Sequence, residues 1–269
     1  MWDPKQYNRF SDQRSRPFYE LMNRVGAAEP GSVADIGCGP GELTAELARR
    51  WPAAEVVGVD DSPEMIAAAR RLPDVSRGVP GGRAPGSAPA ARLRFSELDA
   101  WAWHPTAPVD VIVSNALLQW LPGHEELLIK WVGYLAEGGW LAFQVPANHD
   151  QVAHTLLHEQ AGSAKWRDRL GDVLFSRQTG DPGSYLELLA NEGCVVDAWE
   201  TTYMQLLSGE NPVLEWFKGT ALRPVLAALD EEARAEFLAE FGPKLLSAYP
   251  PASYGTLFRF RRVFVVARK

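Results

Sequence analysis

Cysteine is scarce in this chain. There are two in 269 residues, Cys38 and Cys194, with no CxxC spacing. That excludes a disulfide framework and a cysteine zinc site, and it fits a reducing compartment. Positive charge is also short: 27 Lys and Arg against 34 Asp and Glu leave a net charge of −7. Sequence-independent binding of nucleic acid or of an anionic membrane is therefore not expected. No uninterrupted apolar run is long enough to span a bilayer. The opening MWDPKQYNRF has no apolar signal core, so the expected location is the cytoplasm. His104, His124, His149, His154 and His158 form no HExxH or facial triad. His154 and His158 lie one helical turn apart, but a third ligand is not apparent, so no metal is expected. The GK[ST] ending of a P-loop is missing as well, which excludes that mode of phosphate binding.

What is present is ample apolar material, 46% of residues with ten Trp, enough for one large domain or a domain plus a cap. Phe18, Leu21, Met22 and Val25 have helical spacing, with Pro17 suited to a first turn. GSVADIG reads as a strand ending at glycine, and the helix ELTAELARRW follows. VVGVD is a second strand. SPEMIAAARRL is a helix with Ser62 as N-cap and Pro63 in its first turn. LRFSEL and VDVIVSN are strands three and four. HEELLIKWVGYLAEGG is a helix stopped by Gly138 and Gly139, and WLAFQVP is a fifth strand. This alternation predicts an α/β fold with a doubly wound, mostly parallel sheet. CVVDAWETTYMQL and the closing TLFRFRRVFVVARK bring the expected strands to seven. The helices between them, broken at Pro224 and at Gly242–Pro243, form a cap inserted late in the chain, expected over the sheet's ligand edge. The expected division is 1–150 as the α/β core with an N-terminal substrate segment, 151–257 as helical cap plus sixth strand, and 258–269 as the closing strand. Residues 76–92, rich in Gly, Pro, Ala and Ser, read as a flexible surface insertion.

The first turn, IGCGPGE, carries the chemistry. A glycine loop between a strand and its helix brings backbone N–H groups and the positive helix end close to a ligand. The dinucleotide fingerprint GxGxxG needs a third glycine where this chain has Glu42. Asp35 stands two residues before Gly37. A carboxylate there repels pyrophosphate but suits a cationic amine. Asp60, at the end of the second strand, is placed to accept from two ribose hydroxyls, with Asp61 as its solvated neighbour. Asp99 follows the third strand and could accept from an adenine amino group. Asn115 ends the fourth, at the carboxyl edge where ligands of open α/β sheets bind. An amine, a carboxylate, a ribose and an adenine without phosphate describe S-adenosylmethionine.

With these residues the chain resembles the class I S-adenosylmethionine-dependent methyltransferases. Within them it resembles the trans-aconitate 2-methyltransferase family over nearly its whole length, through RSRPFYEL, VADIGCGPGELTAEL, SNALLQWLPGHEEL, WETTYMQLL and FRRVFVVA. The glycine loop is common to many methyltransferases; the other segments are more specific. The insertion at 76–92 is longer than the family leads one to expect. The resemblance implies a cofactor site made of Asp35, Gly37, Cys38, Gly39 and Gly41, then Asp60, Asp61, Ser62 and Met65, then Leu98 and Asp99, and Asn115 with Ala116. It also implies a carboxylate O-methyltransferase that gives a monomethyl ester and S-adenosylhomocysteine. Separately, a monomer or weak homodimer is expected.

A carboxylate nucleophile is ionised at neutral pH, so no catalytic acid or base is expected. A small-molecule polycarboxylate calls instead for arginines. Arg9, Arg14 and Arg16 precede the first strand; Arg223 lies in the cap; Arg262 shares a face with Phe260 and Phe264 in the last strand, with Arg259 and Arg261 on the other. Each reads equally as a solvated or ion-paired arginine. Gln119 and Trp120 follow the fourth strand, where the acceptor should lie, and Tyr203 could hydrogen-bond it. Trp120 and Tyr203 fit a core role just as well. The rival readings are a methyltransferase with another acceptor, a nicotinamide oxidoreductase and a non-enzymatic adenosyl-ligand binder.

Overall fold

The computed structural model describes residues 11–73, 92–171, 173 and 179–269, with backbone alone for 11–14. Arg9 and most of the insertion expected at 76–92 lie outside the described residues. In chain order the elements are α1 (Ser11–Met22), β1 (Ser32–Ile36), α2 (Glu42–Arg50), β2 (Glu55–Asp60), α3 (Pro63–Ala69), β3 (Arg92–Glu97), β4 (Val109–Asn115), α4 (His124–Tyr134) and β5 (Leu135–Pro146). They continue with α5 (Val152–Ala161), α6 (Arg167–Leu170), α7 (Pro182–Asn191), β6 (Val195–Leu207), α8 (Pro212–Lys218), α9 (Arg223–Ala228), α10 (Glu231–Ala248) and β7 (Thr256–Arg268). A short 3-10 turn, Leu118–Trp120, follows β4.

The strands form one seven-stranded sheet in the order β3-β2-β1-β4-β5-β7-β6. β1, β2, β3, β4 and β5 pair in parallel. β7 runs the other way beside β5: the Lys269 N–H donates to the Gly139 carbonyl, and the Ala147 N–H to the Arg261 carbonyl. As the number rises on β5 it falls on β7, which makes that pair antiparallel. β1 and β4 bury almost every residue, as strands covered on both faces must. α2 buries Thr44, Ala45, Leu47 and Ala48, a helical stripe facing the sheet. α3 begins as its sequence predicts, with the Ser62 hydroxyl accepting from the Met65 N–H at 3.3 Å and Pro63 in first place. The strand order reverses between β1 and β4, and there the carboxyl ends open a crevice.

Three local expectations are corrected. The helix expected to run to Gly138–Gly139 ends at Tyr134, and Leu135–Pro146 is all strand. The β4–β5 register jumps from Val109↔Leu135 to Val111↔Trp140, so the two glycines belong to a bulge, with Gly138 at φ +73°. α1 is already helical at Ser11, the first described residue, so Pro17 lies inside the helix rather than in its first turn. Burial of Phe18, Leu21 and Met22 holds the helix despite the missing N–H. α10 runs unbroken through Gly242–Pro243, because Phe237, Phe241 and Leu245 are fully buried along one face.

By their internal contacts the described residues fall into two compact units. One lies within Met1–Val145, Thr179–Glu200 and Val263–Lys269, the other within Pro146–Gln178 and Thr201–Arg262. The first is centred on the parallel strands. The second is centred on rings: Trp216 stands 5.7 and 5.3 Å from Phe258 and Phe260, and Phe241 stands 6.3 and 6.0 Å from Phe217 and Phe237. Among the described residues no helix is long and apolar enough to cross a membrane.

Candidate active site

The site begins where β1 gives way to α2. All three loop glycines have positive φ: Gly37 at 79°, Gly39 at 55° and Gly41 at 85°. Two of them have opposite reasons for being glycine. A Cβ on Gly41 would lie 2.7 Å from Ala69 Cβ and from Phe95 Cζ, so this residue lets the loop close against α3 and β3. A Cβ on Gly39 would meet nothing within 4 Å. Its bare backbone faces open space, as a surface for close approach of a ligand must. The loop is held by the N–H groups of Gly37 and Cys38, which donate to the Val59 carbonyl at 2.7 and 3.0 Å.

Two carboxylates flank this loop, at Asp35↔Gly58 in the β1–β2 register and at the end of β2. Asp60 accepts from the Gly39 N–H at 2.9 Å through Oδ2 and from the Ser62 N–H at 3.0 Å through Oδ1. Each oxygen keeps a lone pair for a further donor. Burial raises the Asp60 pKa, the two amides oppose the rise, and Asp61 adds to it. Asp35 is 2% exposed and accepts from the Thr44 hydroxyl at 2.6 Å. Burial pushes its pKa up to about 7; the Thr44 bond works against this, and the charge of Asp60 adds to it. A carboxyl so buried gains most from a cation brought beside it. Cys38 is buried too, its thiol held protonated by burial and by both acids. Met65 is buried and Asp61 exposed.

The other expected cofactor residues take up backbone roles as well. Leu98 donates its N–H to the Asp60 carbonyl at 3.0 Å. Asp99 Oδ1 accepts from the N–H groups of Trp101 and Ala102 at 2.7 and 3.3 Å, capping the turn after β3. Asn115 Oδ1 accepts from Gln144 Nε2 at 2.6 Å across the β4–β5 pair. Ala116 has φ 60°, the one positive value outside glycine among the described residues. A strained residue at the carboxyl end of a central strand is a mark of a functional turn. Gln119 Nε2 donates to the Ala116 carbonyl at 2.6 Å, while its Oε1 is buried without a partner. Gln119 thus shapes the turn from within, and Trp120 beside it is partly exposed.

The expected substrate residues divide between the two units. Gln119, Trp120, Arg14 and Arg16 belong to the first; Tyr203, Arg223 and Arg262 belong to the second. Arg14 lies in α1, its side chain outside the described residues. Arg16, 68% exposed, pairs with Glu20 at 2.7 Å along the same helix. Arg223 is partly buried at the start of α9, and Tyr203 is buried on β6. Arg262 is 4% exposed, its guanidinium 4.7 Å from the Phe260 ring centroid on the face that strand alternation places it. Arg259 is exposed, and Arg261 binds the Ala147 carbonyl and Asp150. Sequence reasoning missed Thr44 and Gln144, which hold Asp35 and Asn115. Among the described residues no group of three His, Cys, Asp or Glu is placed to hold a metal ion.

A family model described as a methyltransferase domain matches residues 9–198. A curated relative from Streptomyces avermitilis named trans-aconitate 2-methyltransferase is 49% identical, covering 100% of this chain and 97% of its own. A relative of the same name from Rhodococcus jostii is 49% identical, covering 100% and 99%. The solved YcgJ protein from Bacillus subtilis superposes with a TM-score of 0.57 at 12% identity, over 95% of this chain and 98% of that one, a likeness of fold.

Proposed function

The chain belongs to the trans-aconitate 2-methyltransferase family, and from that premise we propose that it methylates a carboxylate of trans-aconitate, giving the monomethyl ester and S-adenosylhomocysteine. The observation that carries the donor half is the pair of acids around the open backbone of Gly39. Asp35 is buried and raised in pKa, which suits an ammonium, and Asp60 is fixed by two amides with acceptor capacity left over, which suits ribose hydroxyls. A carboxylate at Asp35, beside the glycine loop, would repel a pyrophosphate. S-adenosylmethionine, the donor this set of residues fits, supplies an electrophilic methyl group on a sulfonium.

The remaining work falls to the chain's own residues. The acceptor carboxylate is ionised at neutral pH, since carboxylic acids of this kind lose their proton near pH ~4, so no residue needs to remove one. Asn115, Ala116, Gln119 and Trp120 stand at the carboxyl end of β4, where they orient the reacting groups and limit water. Orientation of this kind supplies on the order of 7–11 kcal/mol in favourable cases. Arg262 is the best buried of the candidate arginines whose side chains are described, and a guanidinium matches a carboxylate in a two-bond fork. A cytoplasmic setting belongs to the same proposal, supported by the two free, buried cysteines.

The test is methyl transfer from labelled donor to trans-aconitate, cis-aconitate, citrate and isocitrate, followed as base-labile label. The expected result is efficient transfer to trans-aconitate. Donor binding without transfer to any polycarboxylate would overturn the acceptor and leave the donor site standing.

A further inference from the structure

α4 begins with a histidine that the reaction does not use. His124 is 2% exposed and Tyr185 is 1% exposed. The His124 Nδ1 lies 3.0 Å from the Leu121 carbonyl, and Nε2 lies 2.7 Å from the Tyr185 hydroxyl, 61 residues away in sequence. The Tyr185 oxygen also accepts from the Gly180 N–H at 3.0 Å.

For a neutral imidazole, donor and acceptor rules fix the direction of each bond in this relay. A carbonyl only accepts, so Nδ1 carries the proton and donates to Leu121. Nε2 then has a lone pair and accepts from the Tyr185 O–H. The hydroxyl oxygen accepts from Gly180 in turn. Glu125 Oε1, at 3.8 Å from Nε2, is too far for a hydrogen bond. Each ring nitrogen of His124 and the Tyr185 hydroxyl thus has a hydrogen-bond partner, and a fully paired buried network is rigid.

The two ends of the network give it a use. Leu121 closes the turn Leu118–Trp120, so the imidazole grips from behind the segment that carries Gln119 and Trp120. At the other end Tyr185 packs edge-on against Phe143 at 5.1 Å. Phe143 pairs with Ser114 next to the Asn115↔Gln144 pair. The donor-binding residues Asp35, Gly39 and Asp60 lie on β1, β2 and their loop and hold none of these bonds.

We propose that His124 is a positioning residue for the acceptor side of the site, its imidazole coupling the turn that carries Gln119 and Trp120 to Tyr185 and, through it, to the Gly180 backbone. This rests on the methyl-transfer reading above. It predicts a specific split. Loosening the turn misaligns the acceptor and leaves the donor's grip intact, and misplacement on the ångström scale lowers turnover by roughly ten- to a hundredfold.

The experiment compares Tyr185→Phe, His124→Asn and the double variant. Tyr185→Phe keeps the ring on Phe143 and deletes the hydroxyl; His124→Asn keeps a donor near the Leu121 carbonyl but cannot reach Tyr185. The expected result is a kcat at least tenfold lower in each, a donor dissociation constant within about twofold of the parent chain, and a double variant no worse than the poorer single one. Groups acting as one unit are non-additive in this way. Wild-type kcat and KM in both single variants, with only the melting temperature lowered, would overturn the proposal, as would additive losses of kcat. If the parent chain turns over a different acceptor, the acceptor reading fails alone, and the same split is read with that acceptor.

Discussion

Gly39 and Gly41 sit two residues apart with left-handed backbones, and alanine at each should fail in a different way. At Gly41 the new methyl group would lie 2.7 Å from both Ala69 Cβ and Phe95 Cζ, and 2.8 Å from Phe95 Cε1. Left-handed backbone in alanine costs about 1–2 kcal/mol, and overpacking a filled contact adds about 1–3 kcal/mol. Gly41→Ala should thus lose about 2–5 kcal/mol of stability. At roughly 2–4 °C per kcal/mol for a chain of this size, it should melt roughly 4–20 °C lower. At Gly39 only the backbone cost of about 1–2 kcal/mol applies, because nothing lies within 4 Å of the new methyl. If that space receives the methyl donor, Gly39→Ala folds nearly normally and binds S-adenosylmethionine at least tenfold more weakly. Thermal unfolding and titration calorimetry on both variants supply the two readings. An unchanged dissociation constant in a folded Gly39→Ala chain would refute the assignment of the open space, whatever happens at Gly41.

Three further outcomes are expected. Asp60→Asn sets an amide against the N–H of Gly39 or Ser62, leaving a donor unsatisfied at about 1–3 kcal/mol; donor affinity measured by calorimetry should fall at least tenfold. The carboxyl of Asp35 is raised to about 7 by burial from an unfolded value near ~4, so between those pH values the folded chain holds the extra proton. The Asp35 contribution to stability should therefore fall as pH rises from about 4 to about 7, while affinity for a cationic donor rises across pH 7; Asp35→Asn should flatten both slopes in a pH series of melts and titrations. Arg262→Lys replaces a planar fork with a point charge. It should raise the KM for trans-aconitate at least tenfold with the donor KM unchanged, and an unchanged acceptor KM in steady-state assays would return Arg262 to a structural role.

Much of the sheet was legible because parallel strands buried on both faces write mostly apolar runs, as in Val111–Val113 of β4 and Leu141–Phe143 of β5. The acids around the loop were legible for a related reason: the carboxyl end of each strand is marked by the residue where the run stops, Asp60 and Asn115 among them. The partners of those residues were hidden. Thr44 reaches Asp35 from the following helix, and Gln144 reaches Asn115 from a strand 29 residues on; neither pairing leaves a periodic trace. Gly138 misled because glycine ends a helix and opens a bulge with equal ease. Arg16 shows the limit for arginines, since a helix that carries Glu20 one turn later offers it an ion pair along its own surface.

The sheet's strand order has a consequence during synthesis. β6 has β7 as its neighbour in the sheet, and β7 is the last of the seven strands in chain order. When the ribosome has made Leu207, the backbone groups of β6 and one flank of β5 still lack their partner. They wait while α8, α9 and α10 emerge, before Thr256–Arg268 can slot between them. A nascent chain in that interval carries two open strand edges, the kind of surface that invites pairing with a neighbouring chain. Its yield in a cell should then depend on how fast the stretch between Leu207 and Thr256 is translated.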